Sequence, residues 1–163
     1  LFLDKQLKVT TVRFFNTVGP RQTGQYGMVV PRFVQAAVNG ENLQVHGDGT
    51  QTRVFCHIED AIAGVISLID DNQTYGEVYN IGGIGETSIN ELAKKVIERT
   101  GSTSKINLTP YSEVYSTGFE DMQRRVPDTS KITKQTGWKS QKTLENIIDD
   151  VRDYFLIKKG AKT

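Results

Sequence analysis

Lys8-Val-Thr-Thr-Val-Arg-Phe-Phe15 runs directly into Asn16-Thr17-Val18-Gly19-Pro20, and the fold turns on how this stretch is read. Its first part is dominated by β-branched and aromatic side chains, which fit a pleated, half-buried surface, so it predicts a strand. The Gly-Pro pair that follows is turn chemistry and ends it. Beyond a polar loop from Gln22 to Gly27, the residues Val29, Val30, Phe33, Val34, Ala37 and Val38 recur at helical spacing, with Gly40 as the stop. Pro31 suits the first turn of that helix, where its missing N–H costs nothing.

The same alternation continues down the chain. Leu43 to His46 reads as a short strand running into Gly47-Asp48-Gly49, and Arg53 to His57 reads as another. Ile58 to Ile69 is apolar nearly all round, which predicts a helix buried between layers. Glu77 to Ile81 reads as a strand ending in Gly82-Gly83. Ser88 and Glu91 form a capping box, opening a helix that carries Ile89, Leu92, Ala93, Val96 and Ile97 on one stripe and stops at Gly101. Ile106 to Thr109 is a strand, Ser112 to Gln123 a polar loop, and Asp128 to Gly137 a short helix before a turn at Trp138. Leu144, Ile147, Ile148, Val151 and Phe155 share one face of a last helix from Thr143 to Lys158. Strands interleaved with helices predict an α/β architecture.

Composition narrows the function classes. The chain has 163 residues, 37% hydrophobic and 24% charged, which suits an ordinary globular domain. Twenty Lys and Arg against nineteen Asp and Glu leave a net charge of +1, without the basic excess expected of a nucleic-acid binder. One cysteine excludes an internal disulfide, and two histidines exclude a Cys/His zinc cluster, so no metal site is expected. No apolar run approaches the roughly 20 residues of a membrane-spanning helix. No secretory leader is visible, and a cytoplasmic location is expected. The chain opens at Leu1-Phe2-Leu3-Asp4-Lys5 without a methionine, as though cut from something longer.

Three features that look like known motifs have simpler readings. Gly83-Ile84-Gly85-Glu86-Thr87-Ser88 sits between a strand and a helix, as a dinucleotide loop would, but Ser88 already serves as a helix cap, so a plain turn is expected. Tyr154 and Lys158 have the spacing of a catalytic tyrosine–lysine pair, yet they lie at the end of a terminal helix, where a half-buried ring and a dipole-complementing cation suffice. His46 and His57 lack a carboxylate or thiol at motif spacing, and structural or substrate-edge roles are expected. Arg21, Arg53 and the Arg124-Arg125 pair stand beside turns, where guanidinium forks can clamp a diphosphate; solvated surface charge is the alternative.

Arg13-Phe-Phe-Asn-Thr-Val-Gly-Pro-Arg21, Val45-His-Gly-Asp-Gly-Thr-Gln-Thr-Arg53, His57-Ile-Glu-Asp60, Tyr79-Asn-Ile-Gly82 and Arg125-Val-Pro-Asp128 occur in an order seen in one family. In this series the chain resembles the C-terminal half of extended short-chain dehydrogenases acting on sugar nucleotides. These are the NAD-dependent epimerase/dehydratase proteins, which include 4-epimerases, 4,6-dehydratases and UDP-glucuronate decarboxylases. The resemblance implies the C-terminal part of a Rossmann-type parallel sheet plus a small α/β substrate domain. Residues 1–21 and 50–85 would end the NAD-binding domain, and residues 22–49 and 86–163 would form the sugar-nucleotide domain. The strands at Lys8–Phe15 and Glu77–Ile81, with helix Ile58–Ile69, would complete the cofactor sheet.

The resemblance also assigns residues. Phe15 matches a position touching the nicotinamide end of NAD. Asn16 matches an asparagine on the substrate diphosphate, and Arg53 and Arg125 match the arginines that hold it. His46 takes the place of an aromatic residue against the nucleobase, and Met28 falls where some epimerases have an asparagine. Arg21 and Asp60 match common family residues, with Asp60 read first as a structural cap. The family's Gly-rich NAD loop and catalytic Tyr-x-x-x-Lys would lie upstream of Leu1, whose segment to Lys5 would be the tail of the helix bearing the Tyr and Lys. No catalytic residue is therefore expected in this chain, which alone should be inactive. The implied ligands are NAD and a UDP- or dTDP-sugar, with a homodimeric parent enzyme. A 4-epimerase is the leading expectation; a 4,6-dehydratase, a decarboxylase or a non-catalytic sugar-nucleotide binder are the alternatives.

Overall fold

The computed structural model describes residues 7–24, 28–69, 71–114 and 121–161. The expected helix tail at Leu1 to Lys5 lies outside them, as do parts of the two polar loops. In chain order the elements are β1 (Thr11–Phe14), β2 (Thr17–Val18), α1 (Val29–Asn39), β3 (Leu43–His46), β4 (Thr52–Arg53) and β5 (Cys56–His57). They continue with α2 (Ile58–Ile69), a single 3-10 turn (Asn72–Thr74), β6 (Val78–Ile81), β7 (Thr87–Ser88) and α3 (Ile89–Thr100). The chain then forms β8 (Ile106–Thr109), α4 (Tyr111–Val114), β9 (Arg124–Arg125), α5 (Ser130–Thr136) and α6 (Leu144–Gly160).

The expected parallel pairing forms. β1 lies beside β6 with Thr11 opposite Val78 and Phe14 opposite Ile81, β3 beside β8, and β2 beside β5, all parallel. β1 begins at Thr11 rather than at Lys8, because its partner strand is preceded by a turn: Val9 O accepts from Gly76 N, and Thr10 Oγ1 bonds to Thr74. The single strand expected from Arg53 to His57 is instead divided. β4 pairs with β7 and β9, whereas β5 pairs with β2. Between them the Val54 carbonyl accepts from Asn16 Nδ2 at 2.7 Å, and that bond turns the chain out of the first sheet.

Two apolar cores result. The larger joins Phe33 and Val34 of α1, Leu43 and Val45 of β3, Leu92 and Val96 of α3, and Ile147, Ile148 and Val151 of α6. Each such fully buried side chain contributes roughly 1.5–3 kcal/mol. The periodicity that predicted these helices is thus the stripe that packs. The expected cap closes, Ser88 accepting from Glu91 N, and the structure adds a second, Thr143 accepting from Asn146 N at the head of α6. Tyr154 leans on the larger core beside Phe155, with ring centroids 5.4 Å apart.

The smaller core takes Ala61 and Leu68 of α2, Tyr79 and Ile81 of β6, and Ile132 and Trp138 from the segment after β9. Helix α2 is not buried all round as its composition suggested. Only the face bearing Asp60, Ala61, Gly64 and Leu68 is covered. Ile62, Ile66 and Ile69, spaced along the opposite face, are 52–60% exposed. In this chain the helix has a sheet on one side only. Among the described residues no helix is long and apolar enough to cross a membrane.

Asp60 is structural, but it does not cap its own helix. Its Oδ2 accepts from Ser140 Oγ at 2.7 Å and from the backbone N–H groups of Gln141 and Lys142 at 2.9 Å, while its carbonyl accepts from Trp138 Nε1 at 3.1 Å. One buried carboxylate thereby seats the loop that carries the chain from the smaller core into α6. Asp60→Ala leaves one buried and two part-buried donors without their acceptor, and a loss of about 2–4 kcal/mol is expected in urea unfolding.

Candidate functional site

The candidate site begins where β1 ends. Asn16 adopts φ +42, a left-handed conformation that few non-glycine residues take, and so turns the chain at the carboxyl end of the parallel pair. Open α/β sheets bind ligands at this end of their strands. While its Nδ2 holds Val54, its Oδ1 accepts from Arg125 Nη2. Phe14, 55% exposed, presents its ring at the same edge.

A second device delivers the arginines. Gly49 has φ +72, and a β-carbon there would stand 2.2 Å from the Asn90 side chain. Asn90 donates Nδ2 to Asp48 O at 2.7 Å and its backbone N–H to Gly49 O at 3.0 Å. The Gly-Asp-Gly turn is therefore pinned on the first turn of α3, and β4 leaves it in a fixed direction. In β4, Thr52 pairs with Arg124 and Arg53 with Arg125. Opposed residues share a face, so Arg53 and Arg125 come together while Arg124 points away. Arg124 instead forms a fork with the Glu86 carboxylate, at 2.9–3.2 Å.

Phe14, Arg53 and Arg125 border an open cleft of about 790 Å³, within the range of small-molecule sites. Asn16, His46, Arg53 and Arg125 all lie on its wall, as does Met28; Phe15 does not, and Phe14 takes the cleft-facing position. Five more polar residues, none assigned a role from the sequence, also line it: Thr17 and Gln51, which lie within the quoted motifs, and Arg32, Tyr111 and Asp121. Arg32 flanks the buried stripe of α1, and Asp121 lies in a polar segment without periodicity. Cleft apolar area comes from Val29, Phe55 and Ile89.

The polar wall is one hydrogen-bonded series. Arg32 Nη1 lies 3.4 Å from His46 Nε2, and its Nη2 donates to Gln44 O at 3.2 Å. Gln51 Nε2 donates to His46 O at 3.2 Å and to Tyr111 Oη at 2.7 Å. Tyr111 in turn donates to Asp121 Oδ2 at 3.2 Å, and Asp121 Oδ1 accepts from Arg53 Nη2 at 2.6 Å. Burial, and then the Arg32 charge, hold the His46 pKa below the usual imidazole value. A neutral ring beside a cation suits contact with an aromatic or polar ligand better than proton transfer.

The remaining candidates lie elsewhere. His57 is 1% exposed, with Nδ1 accepting from Glu59 N at 3.1 Å and Nε2 3.1 Å from Asp150. Burial, with a further push from the Asp60 charge, drives the Cys56 thiol up to about 12, so it is no nucleophile. Tyr154 and Lys158 are absent from the cleft lining. Gly83 packs against backbone, since a β-carbon there would meet Phe55 O at 1.8 Å. In Arg32→Gln the cation beside His46 is removed, and the His46 titration midpoint followed by NMR should rise.

The model of the family described as GDP-mannose 4,6 dehydratase matches residues 4–151. The chain is 45% identical over 127 residues to UDP-N-acetyl-alpha-D-glucosaminuronate decarboxylase of Bacillus cytotoxicus, covering 77% of this chain and 39% of that protein. It is 37% identical over 132 residues to UDP-glucuronic acid decarboxylase 3 of Arabidopsis thaliana, covering 81% and 36%. It thus spans well under half the length of these curated relatives. Among solved structures, UDP-glucose 4-epimerase of Thermotoga maritima with UDP-glucose superposes with a TM-score of 0.84 at 28% identity, covering 96% of this chain and 48% of that one.

Proposed function

We propose, from the premise that this chain belongs to the GDP-mannose 4,6 dehydratase family, that it is the sugar-nucleotide-binding part of an NAD-dependent epimerase, dehydratase or decarboxylase. The observation that carries this reading is the β4–β9 register, which sets Arg53 and Arg125 side by side in one cleft with Asn16 and His46. Two guanidinium forks on one face suit the oxygens of a diphosphate. The nucleoside lies toward His46, Arg32 and Tyr111, and the sugar toward Asn16 and Phe14 at the end of β1. Holding the unreactive diphosphate firmly orients the sugar at the reacting end.

The residues present fit one end of NAD only. The exposed Phe14 ring can border a nicotinamide, whereas Gly83 in the strand-to-helix turn packs against the Phe55 backbone. Phe15, the position the resemblance assigns to that contact, lies outside the cleft lining. NAD, when bound, accepts and returns a hydride; this chain's share is to place the sugar for it. Catalytic acid–base groups belong to parts of the enzyme other than the cleft wall described here.

Within the class, the similarity to two uronate decarboxylases favours a UDP-hexuronate over the neutral hexose of a 4-epimerase. Calorimetry tests both levels. The chain should bind UDP, and Arg125→Met and Arg53→Lys should each weaken binding about tenfold, Arg125→Met with an unchanged thermal melt and Arg53→Lys with a lowered one, because it also loses the backbone bonds of Arg53. UDP-glucuronate should bind more tightly than UDP-glucose. Equal UDP affinity in wild type and both variants overturns the diphosphate assignment.

A further inference from the structure

We propose that Asp121 is an internal counter-anion of this cleft, which occupies Arg53 until a diphosphate displaces it, and so sets which anions the site accepts. The proposal rests on the diphosphate reading above and adds to it a residue that competes with the ligand.

The two hands of the Arg53 guanidinium do different jobs. Nη1 donates to two backbone carbonyls, Thr52 O at 2.8 Å and Met122 O at 2.7 Å, and so ties β4 to the strand that carries Arg125. Nη2 meets Asp121 Oδ1 at 2.6 Å, the two side chains being 9% and 31% exposed. Nη1 is structural; Nη2 can exchange one anion for another without loosening β4. The second Asp121 oxygen is held as well, by Tyr111 Oη, which Gln51 fixes in turn. Gln51 is 6% exposed. The carboxylate of this loop residue is thus held at both oxygens, by Arg53 and by a tyrosine anchored on buried Gln51.

Arg125 is arranged differently. Its Nη2 meets only the neutral Asn16 carboxamide, its Nε is buried with no partner, and among the described residues no carboxylate pairs with it. Of the two arginines paired across β4 and β9, one is therefore already neutralised and one is not. A single weak anion gains Arg125 alone. A diphosphate spans both, and its second phosphoryl group must take Nη2 from Asp121, because two anions beside one fork repel each other. Asp121 thereby raises the threshold for occupancy and favours ligands that reach both arginines.

Calorimetric titration with inorganic pyrophosphate, which lacks nucleoside and sugar, isolates this competition. Asp121→Asn should tighten pyrophosphate binding about fivefold. Tyr111→Phe, which frees one carboxylate oxygen and keeps the charge, should tighten it by less. Glu86→Gln, which removes an acidic group paired with Arg124 outside the cleft, should leave it unchanged. If UDP binds and depends on Arg53 and Arg125, but Asp121→Asn leaves pyrophosphate affinity equal or weaker, the counter-anion assignment alone is overturned. If Asp121→Asn does not fold, unchanged affinity in Tyr111→Phe overturns it. If neither UDP nor pyrophosphate binds any variant, the diphosphate reading falls and takes this proposal with it.

Discussion

Everything in the cleft hangs on the pairing of two residues, Thr52 and Arg53, with strands on either side. On one side they meet Thr87 and Ser88 at the cap of α3; on the other they meet Arg124 and Arg125. So short a strand has little ladder of its own. It holds because its ends are fixed elsewhere: the Gly-Asp-Gly turn is pinned by Asn90, and the Val54 carbonyl is held by Asn16. The Arg53 side chain then reinforces the ladder through Met122 O. A residue proposed to bind the ligand is here also a structural one, and this couples cleft geometry to fold stability.

The scaffold around that strand divides its work. The larger core, built from α1, β3, α3 and α6, supplies a rigid wall and presents Arg32 and His46. The smaller core places the carboxyl end of β1 at the other edge of the cleft. Asp60 and Trp138 join the two, through a buried carboxylate that satisfies the donors of the connecting loop. The open isoleucine face of α2 is an apolar surface of the kind that invites burial. Its exposure agrees with a chain that spans well under half of its curated relatives.

Charge within the cleft is balanced unevenly, and on the proposed diphosphate reading that unevenness bears on ligand choice. Arg124 is spent on Glu86 at the surface, Arg53 is shared between backbone and Asp121, and Arg125 faces a neutral amide. Three arginines that look alike in a sequence thus have three roles. Neighbours decide among them: strand alternation sends Arg124 outward, and a carboxylate from the segment before β9 engages one cleft arginine and leaves the other.

Much of the scaffold was legible in the residues themselves. The stripes of α1, α3 and α6, the Ser88–Glu91 capping box and the strands at Leu43–His46 and Ile106–Thr109 follow from local periodicity and capping, because each is set by interactions a few residues apart. The family was legible too, from an ordered series of short motifs. What the chain could not show alone were decisions made across distance. The division of Arg53–His57 into two strands, the one-sided burial of α2 and the entry of Phe14 rather than Phe15 into the cleft depend on which partner lies opposite. Gln51, Tyr111 and Asp121 joined the site for the same reason: a hydrogen bond between residues 60 or more positions apart leaves no period in the sequence, and only tertiary packing brings its two ends together.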